Sequence, residues 1–125
     1  MVTVDLEQIS GECNTWRDSL RSYRDDLNQS KLRLQQIAGQ SLSKDQLQDI
    51  EHYHNQFHIQ LINIHDLKQS IKAHDRKVSF ETSANKGQLN EDTVAEHESL
   101  FDQYQTLTGT LQELREQFSG FSKLL

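Results

Sequence analysis

Proline is absent from all 125 residues, cysteine occurs once, at Cys13, and no uninterrupted apolar run approaches the roughly 18 residues that a membrane span needs. Each absence removes a class of protein. Nothing in the chain forbids long unbroken helices, and disordered segments, which are commonly proline-rich, are disfavoured. A lone cysteine excludes an intramolecular disulfide and a zinc cluster of the multi-cysteine kind. Met1-Val2-Thr3-Val4-Asp5 has neither the basic nor the apolar region of a leader, so the expectation is a soluble, cytoplasmic protein that does not enter a membrane. Cations are also scarce towards the end: Arg115 and Lys123 stand against Glu91, Asp92, Glu96, Glu98, Asp102, Glu113 and Glu116. The net charge of -6 argues against general affinity for nucleic acid or an anionic membrane. Aromatic residues make up only 7%, and the mean hydropathy is -0.80. Values this low suit elongated helices that each bury one stripe.

What is present is periodicity. From Leu6 to Ile37 the large side chains fall at steps of three and four, at Leu6, Ile9, Cys13, Trp16, Leu20, Tyr23, Leu27, Leu34 and Ile37, with only Ser30 breaking the series. Such spacing draws one narrow apolar seam along a helix and requires helical partners to cover it. The spacing predicts a first helix over 4–38, starting with Thr3 as N-cap, running through Gly11, and closing at Gly39 in a left-handed cap. Ser43-Lys44-Asp45-Gln46 reads as a capping box, with Leu42 and Leu47 as a staple, and opens a second helix over 44–81. Its expected seam is Leu47, Ile50, His54, Phe57, Leu61, Ile64, Lys68, Ile71, Asp75 and Val78. Leu67 beside Lys68 suggests that the apolar stripe widens there, while Lys68 can lay its stem along that seam with its ammonium in water. Thr82 to Gly87 reads as a connection, and Asn90 as the N-cap of a third helix over 91–123, with its seam at His97, Leu100, Tyr104, Leu107, Leu111, Leu114, Phe118, Phe121 and Leu125.

Three such helices joined by short loops make an all-α, elongated antiparallel three-helix bundle with a heptad-patterned coiled-coil core, a single domain over 1–125. The pattern of Trp16, then His54, Phe57 and Leu61, then Tyr104 and Leu107 resembles the spectrin repeat, with Tyr104 where such repeats usually carry Trp. The resemblance implies a three-helix coiled coil and is one of architecture, without the tandem array.

Histidine placement invites a chemical reading, since five of six lie on the second helix, at His52, His54, His58, His65 and His74. His54 and His58 stand one turn apart, the commonest way for one helix to offer two metal ligands. The facing positions are Asn28 and Arg24, and the Arg24 cation disfavours a metal there. A hemerythrin-like di-iron site fails on register: the connection near Asn85 sets His58 against residue 113 and not His97, and the first helix holds no histidine. Glu51 with His54 forms only half of a ferritin-like carboxylate site. Packing at the seam margin, or a pH-sensitive element, accounts better for these histidines. If His54 and His97 are buried at seam positions, desolvation holds their pKa values below the ordinary range. Cys13 reads as a small buried apolar filler. Lys68, Lys72, Arg76 and Lys77 could bind an anion, but offsetting the helix dipole is the plainer role, and Arg17, Arg21 and Arg24 are expected to pair across helices.

No phosphate loop, nucleophile elbow or zinc-protease motif occurs, so no enzyme and no cofactor is expected. The reading is a non-enzymatic structural or protein-interaction module, monomeric or weakly dimeric, whose outer faces contact another protein. Leu32 and Ile62 lie off the seams and are candidates for that contact. The alternative is a small metal- or ligand-binding bundle that uses His54 and His58.

Overall fold

The computed structural model describes residues 1–125 as three helices, α1 (Leu6–Ala38), α2 (Lys44–Ala84) and α3 (Glu91–Lys123), with two short strands, β1 (Val2–Thr3) and β2 (Gln88–Leu89). It is an all-α three-helix bundle, as the periodicity predicts. At 1.5 Å per residue α2 is about 60 Å long and its neighbours about 50 Å. α1 and α2 run antiparallel, as do α2 and α3, so α1 and α3 are parallel. Arg33 Nε donates to Ser122 Oγ (3.2 Å) and Gln112 Nε2 to the Tyr23 hydroxyl (3.0 Å), both across 89 residues, which marks a constant parallel register. The core is one continuous cluster fed by all three helices, with Leu20, Ile37, Phe57, Ile71 and Leu111 at its centre.

Helix boundaries follow local chemistry, with four departures from expectation. Asp5, not Thr3, caps α1, its carboxylate accepting from the Gln8 N–H at 3.2 Å, because Val2 and Thr3 are drawn into a strand. Gly39 ends α1 in a right-handed conformation (φ -79°), not in a left-handed cap. α2 continues to Ala84, since Thr82 turns its hydroxyl back onto the Val78 carbonyl (2.8 Å) and the left-handed residues of the turn are Lys86 and Gly87. Asn90 stands at the N-cap of α3 without a side-chain cap bond, and Glu81 of α2 supplies the acceptor, taking the Asn90 N–H at 3.2 Å and the Thr93 hydroxyl at 2.7 and 2.9 Å. The Ser43 capping box forms as expected, with Ser43 Oγ and Gln46 Oε1 bonding reciprocally.

The small sheet was not expected, because helix periodicity carries no information about segments outside the helices. β1 pairs antiparallel with β2, Val2 opposite Leu89 and Thr3 opposite Gln88, and the Val4 N–H reaches the Gly87 carbonyl. It ties the chain start to the α2–α3 connection and closes that end of the bundle over Leu89, which is fully buried.

The buried stripe of α2 is rotated from the expected seam. Phe57, Ile64, Ile71 and Val78 are buried as expected, but Gln60, Leu67 and His74 are buried one residue before the anticipated Leu61, Lys68 and Asp75, and Glu81 and Thr82 extend the stripe past Val78. Leu61, Lys68 and Asp75 lie half-buried at the margin and His54 is exposed. A helix that packs against two neighbours buries a wider arc than one seam, and a single step along the chain turns the face by 100°. Leu107 is likewise half-buried, whereas Trp16, Leu20, Phe57 and Leu111 are core residues.

Candidate functional site

The shifted stripe carries His74 into the interior, where it meets residues from both other helices. α1 contributes Cys13, held in place by a bond from Ser10 Oγ to Asp75 Oδ1 (2.8 Å) one turn earlier on the same helix. α3 contributes His97, one turn after Thr93, whose hydroxyl donates to Glu81. One ligand atom from each of Cys13, His74 and His97 lies within 4.8 Å of the other two. Cys13 and His74 are buried, and the His97 side chain is 14% exposed.

The two imidazoles form a relay between carboxylates. His74 Nδ1 lies 2.6 Å from Glu96 Oε1, His74 Nε2 lies 3.0 Å from His97 Nδ1, and His97 Nε2 faces Glu12 Oε2 at 3.6 Å. His97 Nε2 is buried without a hydrogen-bond partner. Trp16 covers the His97 ring, with centroids 4.9 Å apart, and the two histidine rings stack at 5.1 Å. Lys77 Nζ approaches the other Glu96 oxygen at 3.5 Å. A surface groove of about 410 Å³ bordered by Ser70, Ala73, His74, Lys77, Glu96 and Leu100 reaches the cluster from solvent.

Burial pushes the Cys13 thiol up to about 12, helped by Asp75 and Glu12 and opposed by Arg17. Burial, and then His74, hold His97 below the ordinary histidine range against the pull of Glu12. The hydrogen bond from His74, with Lys77 behind it, keeps the Glu96 carboxyl below the usual carboxylate range. A thiol of this kind is a poor nucleophile but a competent soft ligand once a cation displaces its proton.

His54 and His58 lie on the exposed side of α2, with no third ligand gathered around them. His58 is 16 residues from His74, about 24 Å along the helix. Exposure of His54 removes the premise that it is a buried seam histidine, whereas His97 is largely buried and shifted down as anticipated. Cys13 is buried as expected, but it sits among imidazoles and not in a purely apolar layer. The signal that would have found the cluster is the register itself. The same fold-back that sets His58 against residue 113 sets His74 against His97.

Elsewhere the ion pairs are local. Arg21 and Arg24 bind Asp18 and Asp25 of their own helix, not partners across the bundle, and only Arg115 with Asp26 bridges α3 to α1 (3.4 Å). Burial, and then the charges of Arg24, Arg21 and Arg17, lower the Lys68 pKa. The groove between α2 and α3 of about 590 Å³ is walled by Gln60, Asn63, Asp66, Ser70, Asp102 and Thr106, without a nucleophile and base in contact. No helix is long and apolar enough to cross a membrane. Comparison with family models, curated proteins and solved structures finds no match to this chain.

Proposed function

We propose that this chain is a non-enzymatic structural or interaction module, a stiff helical rod that contacts another protein through the outer face of α2. The observation that carries the reading is Ile59 and Ile62, which stand one turn apart and are 46% and 47% exposed, away from the buried stripe of Phe57 and Ile64. Paired β-branched side chains on adjacent turns of a rigid helix are the form in which a helical face enters a partner's apolar groove. The resemblance in pattern to the spectrin repeat supports the same reading. So does the state of Cys13, whose protonated, buried thiol is unsuited to nucleophilic catalysis. A free thiol is compatible with the reducing cytoplasm. The acidic surface argues for a protein partner and against nucleic acid.

Affinity capture from extracts of the native host, run side by side with wild type and Ile59→Asp/Ile62→Asp, tests this. The expected result is a captured protein that the double variant loses while its helical content stays unchanged. Capture equally strong with the variant removes the α2 face from the proposal. The metal-binding alternative has its own observation, the convergence of His74 with Cys13 and His97.

A further inference from the structure

With both imidazoles neutral, the Glu96–His74–His97–Glu12 relay is one proton short. A neutral imidazole carries a single N–H. If neutral His74 donates its Nδ1–H to Glu96 at 2.6 Å, then His74 Nε2 is a bare lone pair. His97 can then donate from Nδ1 to His74, which leaves its buried Nε2 bare and facing the Glu12 carboxylate at 3.6 Å. It can instead hold its proton on Nε2 towards Glu12, which leaves two lone pairs facing each other at 3.0 Å. Either arrangement sets two acceptors against each other, and the buried His97 Nε2 is left without a hydrogen-bond partner. With neutral rings the contacts call for one positive charge between them, and the Cys13 thiol beside both rings makes a metal cation a fitting occupant.

We propose that Cys13, His74 and His97 are the ligands of a thiophilic transition-metal ion of the Zn²⁺ class, bound through Cys13 Sγ, His74 Nε2 and His97 Nδ1, with Glu96 and Glu12 orienting the two imidazoles. A cation between the rings lets both outer nitrogens keep their protons, Nδ1–H of His74 towards Glu96 and Nε2–H of His97 towards Glu12. Carboxylate-backed histidines of this kind are the usual setting of metal-bound imidazole. Two nitrogens bound at about 2.0–2.1 Å in a tetrahedral shell stand about 3.3 Å apart, close to the 3.0 Å observed between His74 Nε2 and His97 Nδ1. A thiolate with two imidazoles is a borderline-soft donor set, suited to zinc and not to magnesium or calcium. Three protein ligands leave the fourth position for water. Binding replaces the thiol proton: Cys13–SH and M²⁺ give a Cys13–S–M⁺ unit and one released H⁺, with no change of oxidation state. Each helix supplies one ligand, so the ion would fasten all three together. The site is independent of the α2 outer face, because Ile59 and Ile62 lie on a different part of that helix.

The test uses the full chain without an affinity tag, stripped by chelator and titrated with Co²⁺ as the spectroscopic probe, then with Zn²⁺ as competitor. The expected result is saturation at one equivalent, with tetrahedral Co²⁺ bands in the visible and a thiolate-to-cobalt band in the near ultraviolet, both displaced by Zn²⁺. Zn²⁺ in excess should raise the melting temperature by about 5 °C or more. Cys13→Ala should lose the thiolate band, and Glu96→Gln, which spares all three ligands, should weaken binding about 10–100-fold. His54→Ala/His58→Ala should bind as wild type does. Should Cys13→Ala fail to fold, as circular dichroism would show, His97→Gln and Glu96→Gln carry the comparison. No thiolate band at one equivalent of Co²⁺, a band that survives Cys13→Ala, or binding abolished by His54→Ala/His58→Ala would overturn the assignment.

Discussion

Single side chains differ in what they contribute by where the bundle puts them. Leu20 is fully buried, so Leu20→Ala removes packed methyl groups and leaves a cavity, at a cost of about 2–5 kcal/mol in chemical denaturation. Leu61, at the margin of the α2 stripe, should cost clearly less when cut to Ala, and equal losses would show that the rotated stripe is misplaced. Glu81 is the polar counterpart. The Thr93 hydroxyl first, then the Asn90 N–H and Lys77, hold its carboxyl below the usual range against the opposing effect of burial. A carboxylate depressed in the folded state stabilises it at pH values above its unfolded pKa near 4.5, and that stability is lost as pH falls through the lower folded value. Melts of wild type and Glu81→Gln between about pH 3 and pH 7 should diverge at neutral pH and converge in acid, and a constant gap would show that the Thr93 contact does not depend on charge.

Elements were legible in proportion to how local their causes are. The Ser43–Gln46 capping box is written in four consecutive residues and formed as read, so Ser43→Ala should lose about 1 kcal/mol, measured by thermal or urea unfolding. The cap of α3 was only half legible. Asn90 marks the position, but the acceptor is Glu81, nine residues earlier on another helix, and no local motif encodes it. The same holds for β1, whose pairing with β2 depends on the bundle bringing Val2 beside Leu89. Periodicity located every helix but not the rotation of α2, because a helix between two neighbours is turned by both. That rotation decides whether His54 or His74 faces inwards. The Cys13–His74–His97 cluster was therefore hidden behind one residue of phase, although the antiparallel register already placed His74 against His97.

At the scale of the whole molecule the apolar stripes are satisfied within one chain. Trp16, Leu20, Phe57, Leu111 and Phe118 are buried by intramolecular packing, so no second chain is needed to cover the core. The apolar surface left over is scattered: Leu6 and Leu32 on α1, Leu47, Ile59, Ile62 and Phe80 on α2, Phe101 on α3, and Met1 and Leu124 near the chain ends. Only Ile59 and Ile62 stand on adjacent turns of one helix, and two side chains supply far less buried area than the roughly 1,200–2,000 Å² of a stable interface. A rod of 14.6 kDa with this surface should sediment as a monomer with the high frictional ratio of an elongated particle, and should associate only weakly as concentration rises. Ile59→Asp/Ile62→Asp should remove that association without moving the melting temperature by more than a few degrees, since neither side chain belongs to the core cluster. Sedimentation velocity over a concentration series decides the matter. A constant dimeric mass down to low micromolar protein would mean that these helices cover more of one another between chains than the intramolecular packing accounts for.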